Sequence, residues 1–162
     1  MTQTILAHPL TAEAFAPFGE VLEVSGTPDR LINAGKCGRF HDRAVLDFAD
    51  ARAGISIFKS ESFSLPFRLE LVERHPEGSQ AFICMTDDPF LVVAAPDQGG
   101  TPGTSLAFTT NGRQAVNIRR NVWHGVLTPL SGPGLFAVVD RIGTTRNLEE
   151  FWFPDPFIVT TP

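Results

Sequence analysis

The sequence predicts an all-β fold, and within that class a jelly-roll β-barrel. Three observations support this. The 162 residues suit one ordinary domain. The 14 glycines and 13 prolines favour many short strands over a few long helices. Short strand-like runs with turn residues between them recur about every 10 to 15 residues, as in sandwiches and barrels. We therefore interpret residues 1–162 as a single barrel domain.

The elements follow from local patterns along the chain. A strand at Thr4–Ala7 is followed by a helical turn at Thr11–Ala16, with Thr11 as its N-cap. Between a strand at Glu20–Val24 and the later strands, Ser25–Gly38 is predicted to be an irregular polar loop. The later predicted strands are Phe40–Leu46, Ile55–Lys59, Arg68–His75, Gln80–Cys84, Phe90–Ala95, Leu106–Thr109, Gln114–Arg119, Trp123–Leu127 and Leu135–Asp140, followed by a short helix at Leu148–Phe153.

Composition and charge exclude several classes of protein. The net charge of −5 disfavours nucleic acid and anionic membranes as partners. Cys37 and Cys84 lack CxxC spacing, so we expect them to be reduced, in a cytoplasmic protein. Met1–Pro9 has neither the basic nor the apolar region of a signal peptide. Gly-rich phosphate loops, the Gly-x-Ser-x-Gly elbow and His-Glu-x-x-His are absent, which disfavours nucleotide, serine-hydrolase and zincin chemistry.

The predicted strand at Arg68–His75 carries polar side chains towards the interior. Because side chains alternate along a strand, Glu73 and His75 share a face with Leu69 and Leu71. Buried polar groups are costly unless they are paired or hydrated, so this face predicts a cavity. Gln80 follows the turn after His75 and is predicted to face the same cavity.

Three further polar clusters are candidates for a binding site, although each also fits a solvated turn, a sheet edge or an ion pair. The first extends from Asn111 to His124 and includes Asn117, Arg119 and Arg120. The second runs from Asn33 to His41, and the third is Asp140–Arg141 at a strand end.

Read together, these segments resemble the ureidoglycolate lyase family of the cupin superfamily. The resemblance rests on five stretches: Ile-Asn-x-Gly at 32–35, Glu-Arg-His-Pro-x-Gly-Ser-Gln-Ala-Phe-Ile at 73–83, Asn-Gly-x-Gln at 111–114, Asn-Val-Trp-His at 121–124 and Asp-Arg at 140–141. It implies a cupin-like barrel that forms a homodimer. It also implies a lyase that cleaves ureidoglycolate to glyoxylate and urea in allantoin and purine breakdown.

The same resemblance implies a site for a divalent metal, with nickel associated with the family, and no organic cofactor. The implied ligands are Glu73, His75, Gln80 and His124. Glu73 stands where cupins usually have His, and Gln80 where they usually have Glu. A neutral amide oxygen is a weaker ligand than a carboxylate, so we expect lower metal affinity.

The reaction requires a base for the hydroxyl proton of ureidoglycolate and an acid for the departing urea. His75, His124 and Glu73 are the predicted catalytic residues, because imidazole titrates near neutral pH. The residues predicted to bind substrate are Asn33, Gln80, Asn111, Asn117, Arg119, Arg120 and Arg141. Two alternatives remain at this point: a metal-dependent cupin oxygenase or isomerase acting on another small acid, and a non-catalytic cupin that binds a small carboxylate.

Overall fold

A computed structural model describes residues 3–162, so Met1 and Thr2 of the N-terminal segment lie outside it. The described chain is almost entirely β-structure, with one short helix. In chain order the elements are β1 (Thr4–Pro9), α1 (Ala12–Phe15), β2 (Gly19–Leu22), β3 (Arg30–Ile32), β4 (Cys37–Arg39), β5 (Arg52–Lys59), β6 (Phe67–Arg74), β7 (Gln80–Cys84), β8 (Phe90–Ala95), β9 (Asp97–Gln98), β10 (Thr101–Pro102), β11 (Leu106–Thr109), β12 (Ala115–Ile118), β13 (Trp123–His124), β14 (Thr128–Pro129), β15 (Leu135–Ile142) and β16 (Glu149–Thr160).

The larger sheet closes on itself as a six-stranded barrel. Its strands pair in the order β11, β1, β16, β6, β13 and β8, and β8 pairs back with β11. The second sheet has five strands in the order β2, β12, β7, β15 and β5. This architecture confirms the expected all-β, cupin-like barrel.

Two apolar clusters hold these sheets together, and β8 contributes to both. Phe90, Val92 and Ala94 join a cluster with buried residues of the five-stranded sheet, such as Phe82 and Phe136. The alternate residues of β8 face the other way, into a cluster built from strands of the closed ring. All six residues of β8 are buried, as expected for a strand covered on both faces.

Three of the predicted elements differ in type from the structure, and the strand predicted at Trp123–Leu127 ends at His124. Phe40–Leu46 was expected to be a strand, but it is irregular, and its Asp42 has a φ of 50° that breaks an extended conformation. The predicted loop Ser25–Gly38 contains the β3–β4 hairpin. Leu148–Phe153 was expected to be helical, yet Glu149–Trp152 pairs with β6 as a strand, because cross-strand pairing outweighs local preference there.

The predicted N-cap of the helical turn is confirmed. Thr11 caps α1, with its hydroxyl oxygen 3.2 Å from the amide nitrogen of Ala14. Cys37 and Cys84 are both free. No helix within residues 3–162 has the length and apolar character needed to cross a membrane.

Candidate functional site

The candidate site lies where the ring of strands faces the five-stranded sheet, at the corner between β6 and β7. Glu73 is near the end of β6, His75 directly follows β6, and Gln80 begins β7. His124 lies on the neighbouring strand β13, in register with Glu73. Since Trp123 packs into the cluster inside the ring, alternation turns His124 towards the second sheet, where its ring is 6.2 Å from that of Phe82.

The three ionisable side chains of this corner form a compact cluster. One potential ligand atom from each of Glu73, His75 and His124 lies within 4.8 Å of the others. A carboxylate oxygen of Glu73 is 4.0 Å from Nε2 of His75, and the two imidazole rings have centroids 5.3 Å apart. The structure brings Glu73 and His75 together as predicted, but not on the face of Leu69. Leu69 packs inside the ring with Val72 and Trp123, because the pairing of β6 with β16 shifts register between Leu71 and Leu69.

The environment shifts the pKa values of two members in opposite directions. Burial raises the pKa of Glu73 above its usual value; the charge of His75 opposes this shift and that of Glu150 adds to it. Burial lowers the pKa of His124 to about 3, and the neighbouring charge of His75 adds to this effect. At neutral pH, His124 is therefore an uncharged imidazole.

The hydrogen bonds of His124 fix which of its nitrogens is available. Its Nδ1 is 3.0 Å from the carbonyl oxygen of Gly125, which can only accept, so Nδ1 carries the hydrogen. Its Nε2 is buried and has no hydrogen-bond partner among residues 3–162. A buried lone pair without a partner is costly, which marks Nε2 as a position for a substrate donor or a cation.

His75 is held from both sides by oxygen atoms. Its Nδ1 is 2.6 Å from the carbonyl oxygen of Asn147, and its Nε2 is 3.0 Å from Oε1 of Gln80. The amide nitrogen of Gln80 in turn donates to Oδ2 of Asp140 at 3.4 Å. An imidazolium is the form of His75 that donates to both oxygens.

The sequence analysis named Asp140 only within the Asp140–Arg141 cluster, without a role in this site, and it missed Asn147. The alternation of β15 could have indicated Asp140, because Phe136 and Val138 face the core and Asp140 is next on the same face. Asn147 acts through its backbone carbonyl, which no side-chain pattern can indicate.

Asn117 and the three predicted arginines do not contact the cluster. Asn117 is fully buried on the opposite face of its strand from Val116 and Ile118, and donates to Glu20 and to the carbonyl of Val45. The arginines are engaged elsewhere: Arg119 with Glu20, Arg120 with the carbonyl of Pro76 and with Asp47, and Arg141 with Asp50 and Glu77.

The remaining two predicted residues lie in turns. Asn33 is exposed in the turn between β3 and β4, with a φ of 55°. Asn111 is exposed, and its side-chain oxygen accepts from the amide of Arg113. The substrate-binding roles of these residues, like those of Asn117 and the arginines, stay predictions.

The cluster can support two kinds of chemistry. It offers a carboxylate and two imidazoles, one of which is a neutral acceptor, within 4.8 Å of one another, which is a suitable set for general acid–base catalysis. The same nitrogen and oxygen atoms are also ligand types that suit nickel, zinc or manganese.

Comparison with known proteins gives consistent matches along the chain. A family model described as ureidoglycolate lyase matches residues 2–160. A Rhodobacter capsulatus protein named ureidoglycolate lyase is 56% identical over 158 residues, covering 97% of this chain and 98% of the relative. Rhizobium meliloti ureidoglycolate lyase 2 is 51% identical, with 94% of each chain covered. A Chelativorans protein named ureidoglycolate lyase is 49% identical, covering 98% of this chain and 97% of the relative.

Proposed function

Since the chain belongs to the ureidoglycolate lyase family, we propose that it cleaves ureidoglycolate to glyoxylate and urea. The observation that carries this proposal for the chain's own residues is the compact cluster of Glu73, His75 and His124. In this reaction the carbinol hydroxyl loses its proton, the carbon–nitrogen bond breaks as the carbonyl of glyoxylate forms, and the nitrogen that leaves gains a proton to give urea.

We assign the proton-abstracting role to Glu73. Burial raises its pKa towards neutral pH, which makes its carboxylate a stronger base than an exposed glutamate. Its side chain is 19% exposed, so it is accessible to a small molecule. A positioned base of this kind contributes typically about 10²- to 10⁴-fold to the rate.

We assign the proton-donating role to His75. The imidazolium satisfies both neighbouring oxygens, those of Asn147 and Gln80, and its charge lies 4.0 Å from a Glu73 oxygen. This arrangement supports delivery of a proton to the departing nitrogen. The base, Glu73, and the acid, His75, carry opposite charges. One cluster can therefore take the hydroxyl proton and also protonate the leaving nitrogen.

His124 is assigned a binding role rather than a proton-transfer role. With a pKa lowered to about 3, it is a weak base and is neutral at working pH. Its free Nε2 lone pair suits a hydrogen bond from the substrate, for which the hydroxyl and the ureido N–H groups are candidates.

We also propose that the same residues can hold a divalent ion such as nickel. The unpartnered Nε2 of His124 fits this, since ligating histidines bind through a neutral nitrogen. Glu73, His75 and Gln80 would complete the set, and His75 would lose its Nε2 hydrogen on binding. A bound ion would supply Lewis-acid polarisation of a substrate oxygen.

The partner we propose is a second copy of the chain, docked on the outer face of the five-stranded sheet. Two rows of apolar residues cross this face in register: Ile57, Ala137 and Ile83, then Ile55 and Val139. Ile55 is 75% exposed and Ile57 is 60% exposed. Contiguous apolar surface of this kind is rare on monomers, and rows without charge can pair with themselves across a two-fold axis.

The function is tested by incubating the purified protein with ureidoglycolate and measuring glyoxylate and urea separately. We expect equal amounts of both products without oxygen uptake. We expect the variants His75→Ala and His124→Ala to lose most of kcat while remaining folded, whereas the exposed His8→Ala variant serves as the matched control. Oxygen consumption would favour the oxygenase alternative, and binding without turnover would favour the non-catalytic one.

A further inference from the structure

We infer that Asp140 is a positioning residue, which orients the side-chain amide of Gln80 so that its oxygen faces the histidine cluster. The importance of this orientation for turnover rests on the proposed function, whereas the orientation itself is a property of the folded chain. The inference concerns two residues on neighbouring strands, Gln80 at the start of β7 and Asp140 on β15.

The topology places both side chains between the two sheets. In the antiparallel pairing of β15 with β7, Val139 lies opposite Ala81, so Asp140 and Gln80 are next to each other at the following position. Asp140 shares a face with the buried Phe136 and Val138, and Gln80 shares a face with the buried Phe82. Gln80 is 5% exposed, so water cannot readily replace its protein partners.

The chemistry of the neighbours then decides which way round the amide lies. An amide has one accepting end and one donating end, whereas an ionised carboxylate can only accept. Nε2 of Gln80 donates to Oδ2 of Asp140 at 3.4 Å, which leaves Oε1 on the other side, 3.0 Å from Nε2 of His75. In the reverse orientation, two oxygen atoms would face each other in a buried space, at the cost of an unmade hydrogen bond.

The orientation matters because only the oxygen can serve the cluster. Oε1 accepts the hydrogen bond from His75, and it is also the atom of a glutamine that can ligate a cation. The amide nitrogen can do neither. Asp140 thus acts on the cluster through Gln80 without touching it, in the manner of an outer carboxylate that orients an inner side chain.

The test compares the effect of Asp140→Asn on kcat in two backgrounds, the unmodified protein and a Gln80 variant. If Asp140 had only a structural role, this effect would be the same in both. In Asp140→Asn, the residue at 140 can present either a donor or an acceptor, so it no longer imposes an orientation on Gln80. We expect kcat to fall about 10- to 100-fold, with a smaller change in KM. In a Gln80→Leu background no amide remains to be oriented, so adding Asp140→Asn should change kcat less than about threefold. The same Asp→Asn change at the exposed Asp155 is the matched control.

Equal fold-losses from Asp140→Asn in the two backgrounds would overturn the inference, as would full activity of the single variant. A readout independent of turnover is the exchange rate of the Gln80 side-chain amide hydrogens in ¹⁵N spectra, assigned by their loss in Gln80→Leu. We expect slow exchange in the unmodified protein and fast exchange in Asp140→Asn. Fast exchange in the unmodified protein, comparable to that of the exposed Gln98, would also overturn it. Failure of the proposed function is seen separately, as absence of urea release by the unmodified protein.

Discussion

The buried, neutral His124 should make the stability of this protein fall in acid by an amount that can be calculated. Its side chain is 1% exposed, and burial lowers its pKa from 6.5 to about 3. Because the folded-state pKa lies below the unfolded one, this contribution to stability is present above pH 6.5 and is lost as the pH falls towards 3. At pH 4.5 the unfolded state has taken up the proton and the native state has not. Two pH units at 1.36 kcal/mol each give a loss of about 3 kcal/mol.

The assay is urea denaturation of chelator-treated protein at intervals from pH 7.5 to 4.5, compared with His124→Phe. The phenylalanine variant removes the titrating group, so the difference in the free energy of unfolding between the two proteins should change by about 3 kcal/mol in favour of the variant as the pH falls. Acidic and basic groups away from the cluster titrate alike in both proteins and cancel. His124→Leu guards against poor folding of the first variant, and His8→Ala is the control for loss of a histidine. A difference that stays constant over this range would refute the reasoning.

Three further outcomes are expected. Glu73→Gln should lower kcat about 10²- to 10⁴-fold with little change in KM, measured as urea release; near-normal turnover would contradict its role as base. Thoroughly demetallated protein should retain partial activity and gain modestly from added nickel or manganese, whereas complete, reversible loss on chelation would make the ion the principal catalyst. Ile57→Glu should shift the sedimentation mass from that of a dimer to the 17.6 kDa of one chain, and a monomeric unmodified protein would contradict the proposed interface.

Much of the fold could be predicted because hydrophobic alternation and turn residues act locally. The strands at Gln80–Cys84, Phe90–Ala95 and Leu106–Thr109 have the same bounds in the sequence analysis and in the structure. The sequence-based prediction failed where pairing between distant strands determines the local secondary structure. Glu149–Trp152 has no local reason to be extended until β6 supplies its hydrogen-bond partners. The β3–β4 hairpin was likewise hidden in a stretch that reads as polar loop.

The candidate site, too, has residues that local patterns predict and residues that only strand pairing brings in. Glu73, His75 and Gln80 could be grouped from sequence because they lie on one strand–turn–strand unit, and Glu73 and His75 are two residues apart. His124 joins them only through the pairing of β13 with β6, and the motif resemblance was needed to bring it in. The predicted arginines and Asn117 belong to other local environments, in which carboxylates such as Glu20 and Asp50 already occupy their donors.

Under the proposed function, the arrangement of carboxylates lets this corner depart from the usual cupin pattern. Gln80 stands where cupins usually have glutamate, so this position lacks a negative charge. An amide side chain, unlike a carboxylate, also has two inequivalent orientations. Asp140 supplies a carboxylate outside the cluster. It accepts a hydrogen bond from the side-chain nitrogen of Gln80 and so sets the orientation of the amide. Glu73 supplies another beside the histidines, where burial raises its pKa and improves it as a base. The negative charge that Gln80 lacks is thus present at two neighbouring positions. Asp140 orients Gln80, and Glu73 is placed to take a proton.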